Sequence, residues 1–166
     1  MSKKFDHLPY RECVGIVLVN PDGLVWVGKR ISKWTGDTSE HQWQMPQGGI
    51  DKGETPAQAA FRELEEETGT SSAEILAESS DWLTYDLPED ALGIALKGKY
   101  RGQKQKWFVM RFLGNDDDID ISERSGHKAE FSRWRWAPLD RVVDEVVPFK
   151  RNVYRKLAEE FVSLVR

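Results

Sequence analysis

Cysteine is almost missing: Cys13 is the single one in 166 residues, so no intrachain disulfide braces this fold. Set at the start of an apolar strand, it is expected to pack rather than react. Long apolar runs are missing too. The longest, Val14–Val19, falls far short of the roughly 20 residues that a membrane helix needs, and the N-terminal MSKKFDHLPYRE holds no apolar segment of the signal-peptide kind. The expectation is a cytoplasmic protein with no membrane partner. Nor is there an excess of positive charge: 24 Lys and Arg stand against 28 Asp and Glu, a net charge of −4, which does not suit stable binding of double-stranded DNA. A polyanionic substrate would need local help. Cations do gather, in Lys29, Arg30 and Lys33, in residues 97–106, and in Lys150, Arg151, Arg155 and Lys156, although each group reads equally as a solvated face. Repeats and low-complexity linkers are absent. With 39% hydrophobic residues, the chain is expected to form a single domain over residues 1–166 with a sizeable core.

What is present is concentrated in Gly48–Thr70. A glycine-rich turn (Gly48, Gly49, Gly53) leads into a well-signalled helix. Thr55 is an N-cap, Pro56 fits the first helical position, Gln58 completes a capping box and Gly69 supplies the stop, so the helix is expected over Pro56–Thr68. Ala57, Ala60, Phe61, Leu64 and Thr68 fall on one face, suited to a core. Glu63, Glu66 and Glu67 gather on another, whereas Glu65 points elsewhere. Like-charge neighbours cost roughly 0.2–0.5 kcal/mol per pair, and anions in the last turn oppose the helix dipole by roughly 0.3–1 kcal/mol each. A cation offsets this. Mg²⁺ or Mn²⁺ takes carboxylate oxygens and keeps positions open for water and phosphate, so the cluster suits a metal-assisted phosphate site. The plain alternative is a solvated acidic helix face. The glycines, able to bring backbone close to a ligand, and Arg62, able to orient or screen a carboxylate, favour the site.

Around this stretch, Glu12–Asn20 reads as a β-branched strand closed by the turn Asn20-Pro21-Asp22-Gly23, and Leu24–Arg30 as its hairpin partner. Ile31–His41 reads as a loop near the site, and Trp43–Gln47 as a short strand into Gly48. Past the helix, Ser71–Glu74 is a connection and Ile75–Leu87 one long or broken strand. Pro88–Gly98 is a loop with a possible helical turn at its start. Lys99–Leu113 begins polar and ends apolar, as a strand does on leaving a substrate mouth for a core. Gly114–Ala129 is an exposed acidic loop lacking the offsets of a calcium loop. Glu130–Trp136 is a further strand, and from Pro148 a closing helix repeats apolar residues at three- and four-residue steps. Strands on both sides of a central helix, with a second helix at the end, predict an α/β fold with a mixed β-sheet between helices.

The spacing Gly48-x5-Glu54-x7-Arg62-Glu63-Leu64-x-Glu66-Glu67-x-Gly69-Thr70 resembles the signature of the Nudix hydrolases. At about 6% usage each, its seven fixed residues coincide by chance on the order of once in 10⁸ starting points. Thr70 departs from the final aliphatic residue and touches packing only. The resemblance implies the Nudix fold, an α/β/α sandwich, and hydrolysis of a nucleoside diphosphate linked to some further group.

It extends across Tyr10–Val165, through Tyr10-Arg11, Trp43-Gln44-Met45-Pro46-Gln47-Gly48-Gly49, Trp82-Leu83-x-Tyr85, Gly102–Phe108, Glu130-Phe131-x-x-Trp134-x-Trp136 and Phe149-Lys150-Arg151-x-Val153-Tyr154. These blocks look like the bacterial RNA pyrophosphohydrolases, a subgroup that includes dinucleoside polyphosphate hydrolases. The likeness implies two or more Mg²⁺ or Mn²⁺ ions held by Glu63, Glu66, Glu67 and Glu130, with Gly48 in the metal site and Arg62 among the catalytic residues. Glu67, Glu66 or Glu130 would take the proton of the attacking water. Arg11, Arg30, Lys104, Lys106 and Lys150 match positions near phosphate or RNA backbone, where charge-assisted hydrogen bonds fit. Tyr85 and Phe149 match positions lining the base region, where stacking is worth about 1–3 kcal/mol per base; both read equally as packing. Trp107, Phe108, Trp134 and Trp136 are expected to alternate between core and surface. The implied substrate is 5′-triphosphate RNA. A dinucleoside polyphosphate such as diadenosine tetraphosphate is the alternative, and an inactive nucleotide-binding regulator the second.

Overall fold

The computed structural model describes residues 7–31, 42–88, 92, 98–123 and 129–165. All but the first residue of the expected loop at 31–41, with Lys33, most of the loop at 88–98 with Lys97, and part of the acidic loop lie outside them.

Asn20 builds the first turn as its residue type predicts. Its side-chain oxygen accepts from the backbone N–H of Asp22 and Leu24, and Gly23 takes a positive φ of 79°. The turn joins β1 (Tyr10–Val19) to β2 (Val25–Arg30), but the two pair only at Val19↔Val25. The expected hairpin is therefore confined to its tip. Beyond it the strands splay, because Gln47–Gly49 (β4) takes the edge of β1 at Cys13, Val14 and Gly15, while Trp43–Gln44 (β3) and Phe131–Ala137 (β8) take the two edges of β2. On its other edge β1 runs parallel to Gly102–Phe112 (β7) along its whole length. The expected strand Trp43–Gln47 thus comes as two pieces. Between them the Met45 N–H donates to the Tyr154 hydroxyl and the Pro46 carbonyl accepts from Ile16.

The long segment around Ile75–Leu87 also breaks. Ala73–Glu78 (β5) and Leu83–Asp86 (β6) lie one after the other along β7, with β5 beginning two residues before the expected Ile75. Ser79 holds the junction: its N–H donates to the Trp107 carbonyl and its hydroxyl accepts from the Trp107 N–H. The eight strands among the described residues form one mixed sheet.

Helices cover both faces. Under α1 (Pro56–Thr68), alternate residues Val14, Ile16 and Leu18 meet Phe108, Met110 and Phe112. On the opposite face Val17, Val27, Trp107 and Val109 meet α2 (Leu139–Glu145) and α3 (Arg151–Phe161) through Val142, Val153, Tyr154 and Leu157. The layers are α/β/α, as expected. Because both faces are covered, Trp107 and Phe108 are both buried, which corrects the expected alternation of core and surface. Trp134 and Trp136 are half-buried, Trp134 stacking on Trp26 at 6.3 Å. The short helix α2 had no counterpart in the sequence reading. Among the described residues no helix is long and apolar enough to cross a membrane.

Candidate functional site

The motif enters through β4, so Gly48 and Gly49 sit in a strand rather than in the expected turn; only Gly53, with φ of 87°, makes the turn conformation. What the two strand glycines supply is room. A Cβ on Gly48 would stand 2.0 Å from the Glu63 carboxyl carbon, and one on Gly49 would stand 2.3 Å from the Arg11 guanidinium. Glu63 therefore lies directly on the strand on one face, and Arg11 on the neighbouring residue.

Helix α1 has the expected bounds. Thr55 and Gln58 form the full capping box, and Gly69 closes the helix at φ of 82°. The buried set is Ala59, Ala60, Leu64, Glu67 and Thr68, with Ala57 and Phe61 only half-buried. The core-facing side is thus turned from the expected one toward Glu67, a carboxylate drawn into the interior.

Arg62 organises the outer carboxylates. Its Nε and Nη2 fork onto the two oxygens of Glu54 at 2.7 and 2.8 Å, Nη2 also donates to the Gly49 carbonyl at 2.8 Å, and Nη1 reaches Glu63 at 2.8 Å and Glu66 at 3.1 Å. These bonds hold the Glu54 carboxyl down at about 2. Glu63 goes the other way: burial, opposed by the Arg62 hydrogen bond and reinforced by Glu66, pushes it up to about 7. Glu67 is 7% exposed and accepts from the Gln47 N–H at 3.0 Å. Burial first, then the charges of Glu63 and Glu130, raise its carboxyl well above the ordinary range. Glu63 and Glu130 thus both act on Glu67, and Glu66 acts on Glu63.

Among the described residues no three His, Cys, Asp or Glu side chains are already grouped to hold an ion; Arg62 draws Glu63 and Glu66 to itself. The donor set nonetheless fits a hard divalent cation. It is all carboxylate oxygen, cleared of Cβ atoms at Gly48, and burdened with repulsion and burial that such a cation relieves.

The residues expected at the substrate fall into two groups that the sheet separates. Lys104 and Lys106 share a face of β7 with Phe108, toward α1. Lys104 pairs with Glu12 at 3.2 Å and lies over the Trp82 ring, and Lys106 pairs with Glu78 at 3.5 Å. On the other face Tyr85 is buried, its ring 5.5 Å from that of Phe149. Lys150 is 6% exposed, donates to Gln44 Oε1 at 3.1 Å and lies near both rings. Arg30 closes β2 at a register shift, near enough to act on Tyr85 and Tyr154.

A buried amide chain escaped the sequence reading. Trp107 Nε1 donates to Gln105, and Gln105 Nε2 donates to both Gln47 and Gln103 at 3.1 and 2.9 Å. Its signal was the alternation Gln103-Lys104-Gln105-Lys106, with amides on one face and ammonium groups on the other.

The family model of the NUDIX domain matches residues 9–157. Curated relatives include the RNA pyrophosphohydrolase of Mesorhizobium japonicum, 54% identical over 172 aligned positions that cover 99% of this chain and 98% of the relative. That of Agrobacterium fabrum is 52% identical, with 99% and 98% covered. Among solved structures, a binary complex of the C. elegans Ap4A hydrolase superposes with a TM-score of 0.62 at 20% identity, covering 92% of this chain and 98% of that one. The E. coli dihydroneopterin triphosphate pyrophosphohydrolase gives 0.60 at 17% identity, covering 89% and 96%. At such identities the likeness is one of fold.

Proposed function

Since the chain belongs to the Nudix hydrolases, a family that works with divalent metal ions, we propose that it removes pyrophosphate from the 5′ end of triphosphorylated RNA and leaves a 5′-monophosphate. The observation that carries this reading is the identity of more than half over nearly the whole length with relatives named RNA pyrophosphohydrolase. The proposed enzyme is a single Nudix domain of the cytoplasm, where nascent transcripts carry that end.

Two or more Mg²⁺ or Mn²⁺ ions are proposed, with Glu63, Glu66, Glu67 and Glu130 as ligands over the floor at Gly48. Bound there, such ions neutralise phosphate oxygens and acidify a water. The chain's own residues do the rest. Arg62 fixes the rotamers of Glu54, Glu63 and Glu66, and the Gln47 N–H aims Glu67. A carboxylate of the group, Glu67, Glu66 or Glu130, takes the proton of the attacking water as its oxygen bonds to phosphorus and the anhydride bond to the leaving pyrophosphate breaks. Arg11, Arg30, Lys104, Lys106 and Lys150 are proposed for phosphates, and Tyr85 with Phe149 for a stacked base.

Incubation with Mg²⁺ and a 5′-triphosphate oligonucleotide should release pyrophosphate and leave a 5′-monophosphate end. Rapid cleavage of diadenosine tetraphosphate with no release from RNA would instead support a dinucleoside polyphosphate hydrolase. Cleavage of neither would leave a nucleotide-binding regulator.

A further inference from the structure

A second basic surface lies beside this site and has no part in the chemistry just described. The ladder sets Lys29 opposite both Trp43 and Arg133, so one row crosses β3, β2 and β8 on a single face. Arg135 stands two residues along the same face of β8. Its guanidinium lies 4.1 Å from the centre of the Trp43 ring, and that of Arg133 lies 5.8 Å from it. Arg135 is paired with Glu145. Lys29 and Arg133 have no carboxylate partner among the described residues, unlike Lys104 and Lys106, which are both paired.

Directly opposed like charges destabilise an antiparallel pair, and Lys29↔Arg133 is such a pair in a chain of net charge −4. A polyanion relieves that repulsion. The row also leads away from the site: Lys29 precedes Arg30, and Arg133 is three residues past Glu130, about 10 Å along an extended strand. That is the reach of the next one or two phosphates of an extended strand of RNA.

We propose that Lys29 and Arg133, beside the Trp43–Arg135 stack, bind the phosphodiester backbone of the RNA immediately 3′ of its reacting end. The inference rests on the RNA reading above and adds to it a binding track that favours chains longer than a dinucleotide. The occupant is single-stranded RNA: the row is exposed at Arg133, and it offers cations at strand spacing to an extended phosphate backbone.

The test compares wild type with Lys29→Ala/Arg133→Ala on three substrates: a 5′-triphosphate RNA of a dozen nucleotides, a 5′-triphosphate dinucleotide, and diadenosine tetraphosphate. The double variant should cleave the two short substrates at wild-type rates, with kcat unchanged on the long RNA. Its KM for the long RNA should rise and lose its salt dependence in part. Two lost phosphate contacts make the slope of log affinity against log salt shallower by about 1.4, which removes about sevenfold of the weakening between about 50 and 200 mM salt. Lys29→Arg/Arg133→Lys, which keeps both charges, should restore the long-RNA KM; a merely structural role for these side chains would not single out the long substrate. An unchanged KM on the long RNA, or equal losses on all three substrates, overturns this inference while the RNA reading stands. Failure of the wild type to cleave triphosphate RNA of either length overturns both.

Discussion

Replacing Gly48 with alanine should abolish turnover while leaving the fold in place. Gly48 lies in β4, paired with Val14, and its backbone has no left-handed requirement, so the strand itself accepts a methyl group. The obstacle is Glu63. An added Cβ would lie 2.0 Å from the Glu63 Cδ, against the 3.4 Å at which ordinary contact begins, so the carboxylate must withdraw by 3.4 − 2.0 = 1.4 Å. Misplacement of a reacting group by about 1 Å costs on the order of 100-fold in rate, and loss of a metal ligand adds to that. The cost in stability is small, because the displaced group is the far end of a flexible side chain and the lost glycine freedom contributes about 0.4–1 kcal/mol in the opposite direction. Gly53→Ala is the counter-experiment. Its Cβ would meet nothing within 4 Å, yet its φ of 87° is left-handed, so it should lose about 1–2 kcal/mol of stability and keep its activity per folded molecule. Urea unfolding, single-turnover rates and Mg²⁺ titration calorimetry on the two variants check both halves. A Gly48→Ala protein with wild-type kcat and metal affinity would refute the placement of Glu63 on the floor of the site.

Metal-free stability should depend on pH in a sense opposite to that of most carboxylate-bearing folds. Glu63 is held at about 7 against an ordinary 4.5, and Glu67 is raised as well, so their contribution is intact below about 4.5 and is lost as pH climbs through the folded values. For Glu63 the loss approaches about 3 kcal/mol above pH 7. Glu67→Gln should remove most turnover while flattening this decline and raising the urea midpoint at neutral pH; a midpoint lower than wild type would count against a buried, repelled carboxylate there. Arg62→Lys should cost about 1–3 kcal/mol and most of the activity, since one ammonium cannot reproduce a fork onto Glu54 together with contacts to Gly49, Glu63 and Glu66. Wild-type denaturation and rates in that variant would show the fork to be dispensable.

What could be read from residues alone was whatever local chemistry decides. Thr55, Pro56, Gln58 and Gly69 set the bounds of α1 because caps are short-range devices. The layer order followed from strands and helices alternating in type. Long-range pairing was invisible: β1 and β2 are adjacent in sequence and carry a strong turn, yet β4 separates them by taking the edge of β1. The same holds inside the site. That Gly48 serves Glu63 and Gly49 serves Arg11 is a matter of side-chain approach across elements, and both glycines read as a turn until the register was known. For Lys150 the basic cluster read equally as a solvated face, and only the resemblance pointed to phosphate; its inward course to Gln44 and Tyr85 is set by the turn at Pro148–Lys150, which no residue type announces.

The placement of charge in α1 now has a physical account that the helix by itself lacked. Its last turn carries acids and no base, which the helix dipole disfavours. Arg62 compensates the outer members, Glu54, Glu63 and Glu66, and leaves the innermost, Glu67, with a backbone N–H as its hydrogen-bond partner against the charges of Glu63 and Glu130. One guanidinium cannot neutralise both layers. The residual cost is concentrated where a divalent cation would enter, so binding there couples to proton release from Glu63 and Glu67 and to the stability of the whole fold. An ordinary surface salt bridge at Glu67 would have removed that coupling, and with it the driving force that draws the ion to the inner end of the helix rather than to the exposed acids at 116–118.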